Sequence, residues 1–341
     1  MGETLRLSAR VAVGGAVPDL PGATLAVHIV APLPVDLAAD PVVLFCAPGG
    51  GMTRLYYDLG GPNDRRFSFA EAMARNGWIT IAFDHLGAGD SSPVDDGYMI
   101  DPARVTAAHA AAVAAMAERL RAGLDGYPPV PSFRTIGVGH SMGGMVAGWV
   151  QAHHRPYDAM LILGSGPYGF ISELDTGLHP LAGDPDRARG ELVDRMRALG
   201  IAPRLVLTSN PRSRAIFRGG DPAAIAWMRQ VRTPILSVVG SFTMIPEGWA
   251  PEAAAIDVPL LLLFGDDDIC PEPRDVPGWF SGSRDITLHI LADTGHSHFA
   301  FPSIDTLTRR AAAWIRSIEK TSNGAAAKAV PNPREFSECV S

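Results

Sequence analysis

The stretch that most constrains the fold is Arg134-Thr-Ile-Gly-Val-Gly-His-Ser-Met-Gly-Gly144, an apolar run leading into Gly-x-Ser-x-Gly with Ser141 at its centre. Ile136 and Val138 suit a strand, while Met142, Met145, Val146, Trp149 and Val150 place apolar groups at helical intervals. A strand, a sharp turn and a helix hold a serine hydroxyl exposed, and the tight backbone demands minimal side chains at Gly139 and Gly143. This is the setting of an activated nucleophile.

Around this point, strand-like runs occur at 5–13, 24–30, 42–46, 78–83, 135–138, 159–163, 259–264 and 286–291, with helical patterns at 67–75, 103–121, 142–153 and 304–318. Alternation of this kind, with strands as apolar as Pro259-Leu-Leu-Leu-Leu-Phe264, predicts an α/β fold with a mostly parallel sheet covered on both faces. Ligands of such sheets bind beyond the carboxyl ends of the strands. The alternation fails between Gly164 and Asp257, which reads as an inserted helical cap. Its apolar set, Tyr168, Phe170, Phe217, Trp227, Met228, Phe242, Met244 and Trp249, suits the roof of a pocket. The expected organisation is a first core part at 1–165, a cap at 166–257, a second core part at 258–320 and a flexible tail at 321–341.

A hydrophobic content of 47% over 341 residues is ample for a large core. A formal charge of -7 and the lack of a dense Lys/Arg stripe argue against a nucleic-acid partner. Cys46, Cys270 and Cys339 lack metal-type spacing and read as reduced thiols. The amino terminus lacks a basic segment followed by an apolar one, and no apolar run reaches membrane-spanning length, so a cytoplasmic location without membrane association is expected. The oligomeric state stays open, a homo-oligomer included.

A serine hydroxyl needs a base, and the base needs an orienting group. Asp293-Thr-Gly-His296-Ser-His298 follows the last strand-like run, and His296, directly after glycine, is the preferred base. His298 is expected beside the pocket, without a proton-transfer role, and His140 is read as a packing residue. Gly265-Asp-Asp-Asp268 follows the preceding run, and Asp268, furthest into the loop, is best placed to reach the histidine. The oxyanion of a serine adduct needs preorganised donors. Met142 at the helix start supplies one, and Gly50 or Gly51 in Pro48-Gly-Gly-Gly-Met52 supplies the other. Tyr56, Tyr57, Trp227 and Met244 are the expected pocket residues.

Together these segments resemble the α/β-hydrolase superfamily: Gly139-His-Ser-Met-Gly143 its nucleophile elbow, Gly49-Gly-Gly51 its oxyanion loop, Gly265–Asp268 its acid turn and Gly295-His296 its histidine turn, in the order Ser, Asp, His. Phe83-Asp-His-Leu-Gly-Ala-Gly-Asp-Ser-Ser92 is similar to the loop after the fourth strand in capped members. The resemblance implies a cofactor-free hydrolase of an apolar ester or lactone, acting through an acyl-enzyme on Ser141. Superfamily members with an aspartate nucleophile attack alkyl halides or epoxides, and Ser141 favours acyl transfer instead. Ala47-Pro48 replaces the usual His-Gly before the oxyanion loop. The superfamily also holds amide, peptide and carbon-carbon bond hydrolases, acyltransferases and ligand receptors.

Overall fold

In the computed structural model, which describes residues 3–61, 63–206 and 219–318, eight strands form one sheet: β1 (Thr4–Ala12), β2 (Thr24–Pro32), β3 (Val42–Ala47), β4 (Ile79–Phe83), β5 (Arg134–His140), β6 (Ala159–Leu163), β9 (Leu260–Asp267) and β10 (Ile286–Gly295). Their order is β1-β2-β4-β3-β5-β6-β9-β10, and only β2 runs against its neighbours. Every strand anticipated from the sequence is present within a few residues. The alternating side chains of β3 show why both faces need cover: Val43, Phe45 and Ala47 enter one core, Val42, Leu44 and Cys46 the other. Helices α2 (Pro102–Ala122) and α3 (Met142–His154) fill the first face, and α1 (Phe69–Ala74) with the carboxyl-terminal α8 (Ile304–Ser317) the second. Helix α8 buries Ile304, Leu307, Thr308, Ala311 and Ile315, the three-and-four spacing of one helical face.

Between β6 and β9 the chain forms α4 (Pro185–Ala198), α5 (Pro222–Gln230), α6 (Ser237–Met244), α7 (Ala250–Ala255) and a two-stranded ribbon of β7 (Arg204–Leu205) with β8 (Ile235–Leu236). The sequence pattern gave no sign of the ribbon, because two residues per strand are too few to show a period. Asp184 and Asp221 cap α4 and α5 from the position before a first-turn proline. This segment is stitched to the core. Thr53 N–H donates to Val231 O (2.9 Å), Thr233 N–H to Gly51 O (3.0 Å) and Arg204 to Gly87 O and Val94 O (2.6 and 2.7 Å). Phe217 and the expected tail at 321–341, with Cys339, lie outside the described residues. Among those described, no helix is long and apolar enough to cross a membrane and no group of three or more His, Cys, Asp or Glu is arranged to hold a metal.

A buried carboxylate fastens the amino-terminal hairpin to the segment before α1. Asp58, its side chain 3% exposed, accepts hydrogen bonds from Arg6 (2.9 and 3.0 Å), His28 (2.9 Å) and Ser68 (2.6 Å). Burial opposes its charge, but the bonds from His28, Arg6 and Ser68 and the charge of Arg6 outweigh that and hold the carboxyl below the usual range. A depressed folded-state value contributes stability above the unfolded carboxylate value of about 3.9, and this contribution is lost as pH falls below it towards the folded value. Asp58→Ala is therefore expected to cost about 2–4 kcal/mol at neutral pH, with a smaller gap to the native chain at about pH 3. Denaturant unfolding at the two pH values checks this, and equal gaps would show that Asp58 is uncharged in the fold.

Candidate active site

Ser141, Asp268 and His296 lie far apart in the chain, yet each leaves the carboxyl edge of its own strand, and the sheet order sets those edges side by side. Ser141 sits between β5 and α3 with φ 53 and ψ -124, a conformation costing a non-glycine residue about 1–3 kcal/mol. Its N–H donates to Leu163 O (2.8 Å), so β6 holds the turn. A Cβ on Gly139 would stand 2.3 Å from Gly143 O, and one on Gly143 would stand 2.0 Å from Ala47 O. Those approaches exclude any side chain, and they explain the two glycines flanking the serine.

His296 is delivered by an irregularity. The parallel register of β10 on β9 shifts between Leu291 and Gly295, where Asp293 takes φ 52. Asp266 grips this bulge by accepting from the amides of Asp293 and Thr294, both at 3.0 Å. Bulges commonly re-aim a side chain beside a site. Here His296 Nδ1–H donates to Asp268 Oδ1 (2.7 Å), while its Nε2 accepts from Ser141 Oγ (2.8 Å).

The Asp268 carboxylate is fully buried and accepts four donors: His296, the Ile269 amide (2.7 Å), His298 Nε2–H on its other oxygen (2.7 Å) and the Gly265 amide (3.3 Å). Burial opposes its charge, but the electrostatic attraction of His296 and the hydrogen bonds from His296 and His298 outweigh that and hold the carboxyl well below the usual range. Gly164, with φ 57, backs this group; a Cβ there would stand 3.1 Å from both His296 Nδ1 and Asp268 Oδ2.

Three expectations from the sequence need correction. His298 is not beside a pocket: it is completely buried behind Asp268. His140 does more than pack, since its Nε2–H donates to the backbone carbonyl of His296 (2.8 Å) and so ties the serine strand to the histidine loop. Tyr56 and Tyr57 are wholly inaccessible and line no open pocket; they pack on Phe299, and the Tyr57 hydroxyl donates to Ala47 O (2.8 Å). Trp227 is half-buried against Phe67, and Met244 is half-buried with its carbonyl accepting from Phe170 N (2.7 Å). Trp249, Phe242 and Met228 are buried core residues that join the intervening segment to the sheet layers.

The glycine loop and the start of α3 converge. Met142 is the first residue of α3, so its amide lacks an intrahelical acceptor. The Gly50 amide meets no backbone or side-chain acceptor among the described residues, and a Cβ on Gly50 would lie 3.5 Å from both Met142 Sδ and Ile235 Cγ2. Gly51 turns away with φ 82, its carbonyl taken by Thr233. A cavity of about 1040 Å³ between α2, α3, α4 and α6 is lined by Trp149, Leu192 and Phe242, and its walls include none of Ser141, Asp268 and His296. It is therefore not the site of this chemistry.

Because His298 supplies one of four bonds to Asp268, His298→Leu is expected to lower kcat for a reaction at Ser141 by about tenfold while leaving the position of its pH dependence unchanged. Steady-state kinetics across pH check it, and wild-type kcat would show that the fourth bond is dispensable.

A family model described as the alpha/beta hydrolase family matches residues 43–306. Similar solved structures include the bromoperoxidase from Bacillus anthracis (14% identity, 91% of this chain and 100% of that one, TM-score 0.57). Others are the enol-lactonase from Burkholderia xenovorans LB400 (16%, 90% and 100%, 0.55) and the proline iminopeptidase from Mycobacterium smegmatis (17%, 91% and 98%, 0.54). At such identities the likeness is one of fold. A comparison with curated proteins finds no match.

Proposed function

Because the chain belongs to the alpha/beta hydrolase family, we propose that it is a serine hydrolase cleaving a carboxylic ester or lactone of an apolar small molecule through an acyl-enzyme on Ser141. The observation that carries this reading is the unbroken line Ser141 Oγ, His296, Asp268, with contacts of 2.8 and 2.7 Å. Ser141 Oγ attacks the carbonyl carbon as its proton passes to His296 Nε2, and Asp268 stabilises the imidazolium that results. The carbonyl oxygen, now negative, is held by the amides of Met142 and Gly50. His296 then protonates the leaving alkoxide, and water, activated by the same imidazole, releases the acid. Every step is a proton transfer or acyl transfer among groups of this chain, substrate and water.

Support for an apolar substrate comes from Ile235 and Met142, whose side chains stand against Gly50. We take the segment between β6 and β9 to be the cap, since its 231–235 stretch crosses the glycine loop. The likeness to an enol-lactonase agrees with this reading, and that to an iminopeptidase makes amides the class to test against it. Intact-mass analysis and turnover of p-nitrophenyl butyrate, a γ-lactone and a p-nitroanilide test it together. Ester and lactone turnover with a transient adduct on Ser141 is expected. Preference for the anilide, or no adduct with any of the three, would overturn it.

A further inference from the structure

The glycine loop has no side chains of its own to fix the direction of the Gly50 amide, so its ends must be anchored from outside. The residues immediately after β4 do this. Asp84, fully buried, accepts from the Arg54 amide (2.6 Å) and pairs with the Arg54 guanidinium, fixing the loop beyond its glycines. His85, 1% exposed, reaches the other end: its Nε2 lies 2.8 Å from Pro48 O, the carbonyl immediately before Gly49. Behind it, His85 Nδ1 lies 2.9 Å from Nε2 of His109, a buried residue of α2 whose ring meets Phe83 edge-on.

One arrangement of protons satisfies these contacts. A carbonyl only accepts, so His85 must carry hydrogen on Nε2. If His85 is neutral, its Nδ1 is then a lone pair and needs a donor, which His109 Nε2–H supplies. The reverse arrangement would aim a bare His85 nitrogen at a carbonyl oxygen. Burial lowers the pKa of His85, against the opposing effects of the Pro48 carbonyl and Asp84, and lowers that of His109 further, with His85 adding to the effect. Both rings are thus kept in the neutral form that this chain of donors requires.

We propose that His85, oriented by His109, is a positioning residue for the oxyanion site: by holding the Pro48 carbonyl it sets the peptide planes of Gly49 and Gly50 and so aims the Gly50 amide at the reacting oxygen. Pro48 O also presses on α3, since a Cβ on Gly143 would stand 2.5 Å from it. Released from His85, this carbonyl is free to turn towards the unpaired amides at the start of that helix, which are the donors the oxyanion needs. The inference rests on the serine-hydrolase reading.

The test compares wild type with His85→Phe, His85→Gln and His109→Leu on p-nitrophenyl butyrate. Loss of one oxyanion donor typically costs a hundredfold or more in kcat, so misaiming it in His85→Phe should cost about tenfold to a hundredfold with KM little changed. His85→Gln, which keeps an N–H within reach of Pro48 O, should recover most of that loss. His109→Leu should lose about threefold to tenfold, because His85 is left without its orienting donor. In all three the acid limb of the pH profile should stay in place, since His296 is untouched. Wild-type kcat in His85→Phe, or a His85→Gln as impaired as His85→Phe, would overturn the inference while leaving the hydrolase reading intact. Should His85→Phe fail to fold, wild-type kcat in His109→Leu overturns it alone. A wild-type protein that forms no Ser141 adduct would remove the reading itself and this inference with it.

Discussion

Ser141→Ala is expected to lower ester turnover by about 10⁴- to 10⁶-fold, with no covalent adduct detectable by mass. The loss is chemical. Alanine keeps the strained backbone of the turn, whose grip comes from the Ser141 N–H on Leu163 O and not from the hydroxyl. The side chain makes one hydrogen bond, to His296, so stability should change by no more than about 1 kcal/mol. Melting temperature and mass measured on one preparation separate the two effects. A folded Ser141→Ala protein that still turns over ester at the native rate would end the serine mechanism.

Asp268→Asn should be nearly as damaging, by about 10⁴-fold in kcat. An amide side chain has one accepting oxygen, whereas Asp268 serves a histidine with each of its two. Asparagine must therefore turn N–H₂ towards either His296 or His298. If it faces His296, the proton moves to the wrong nitrogen and Nε2 cannot accept from the serine. If it faces His298, the imidazolium loses the negative charge that stabilises it. Asp267→Asn should remain close to wild type, because this carboxylate is exposed on the outer side of the turn. Asp266→Asn should be milder than Asp268→Asn: its one amide oxygen keeps only one of the two bulge amides, Asp293 or Thr294, but the line from Ser141 through His296 to Asp268 is left whole. Equal kcat values for the three variants would move the acid elsewhere.

The sheet and its flanking helices were legible because strands such as Leu260–Phe264 are unbroken apolar runs and helices such as α8 repeat their apolar residues at helical spacing, each within a single segment. The line from Ser141 to Asp268 was legible for a related reason. The serine is bracketed by glycines, the aspartate and histidine follow their strands directly, and chain order alone places each at the carboxyl edge. What stayed hidden depends on depth, which a linear sequence does not display. His298 differs from His296 by two positions, yet one ring faces the serine and the other is sealed behind the carboxylate. Tyr56 and Tyr57 looked like pocket residues because they follow the glycine loop; the short turn of helix at 54–58 folds both inwards under Phe299. His85 and His109 are separated by a loop and two turns of helix, and only tertiary packing makes them neighbours.

The stitching of 231–235 to the glycine loop changes what kind of part the segment between β6 and β9 is. Met52 bridges Arg232, Thr53 binds Val231, Gly51 binds Thr233, and Gly89 donates to the Thr233 hydroxyl, so this stretch forms an outer wall of the glycine loop. In enzyme engineering, lids are often treated as interchangeable modules that trade one substrate range for another. A chimera that replaced 166–257 of this protein wholesale as a lid would remove the backbone partners of the glycine loop with it, and its rate constant should suffer as well as its selectivity. Redesign of substrate range should therefore leave 231–235 in place and vary the helices beyond it.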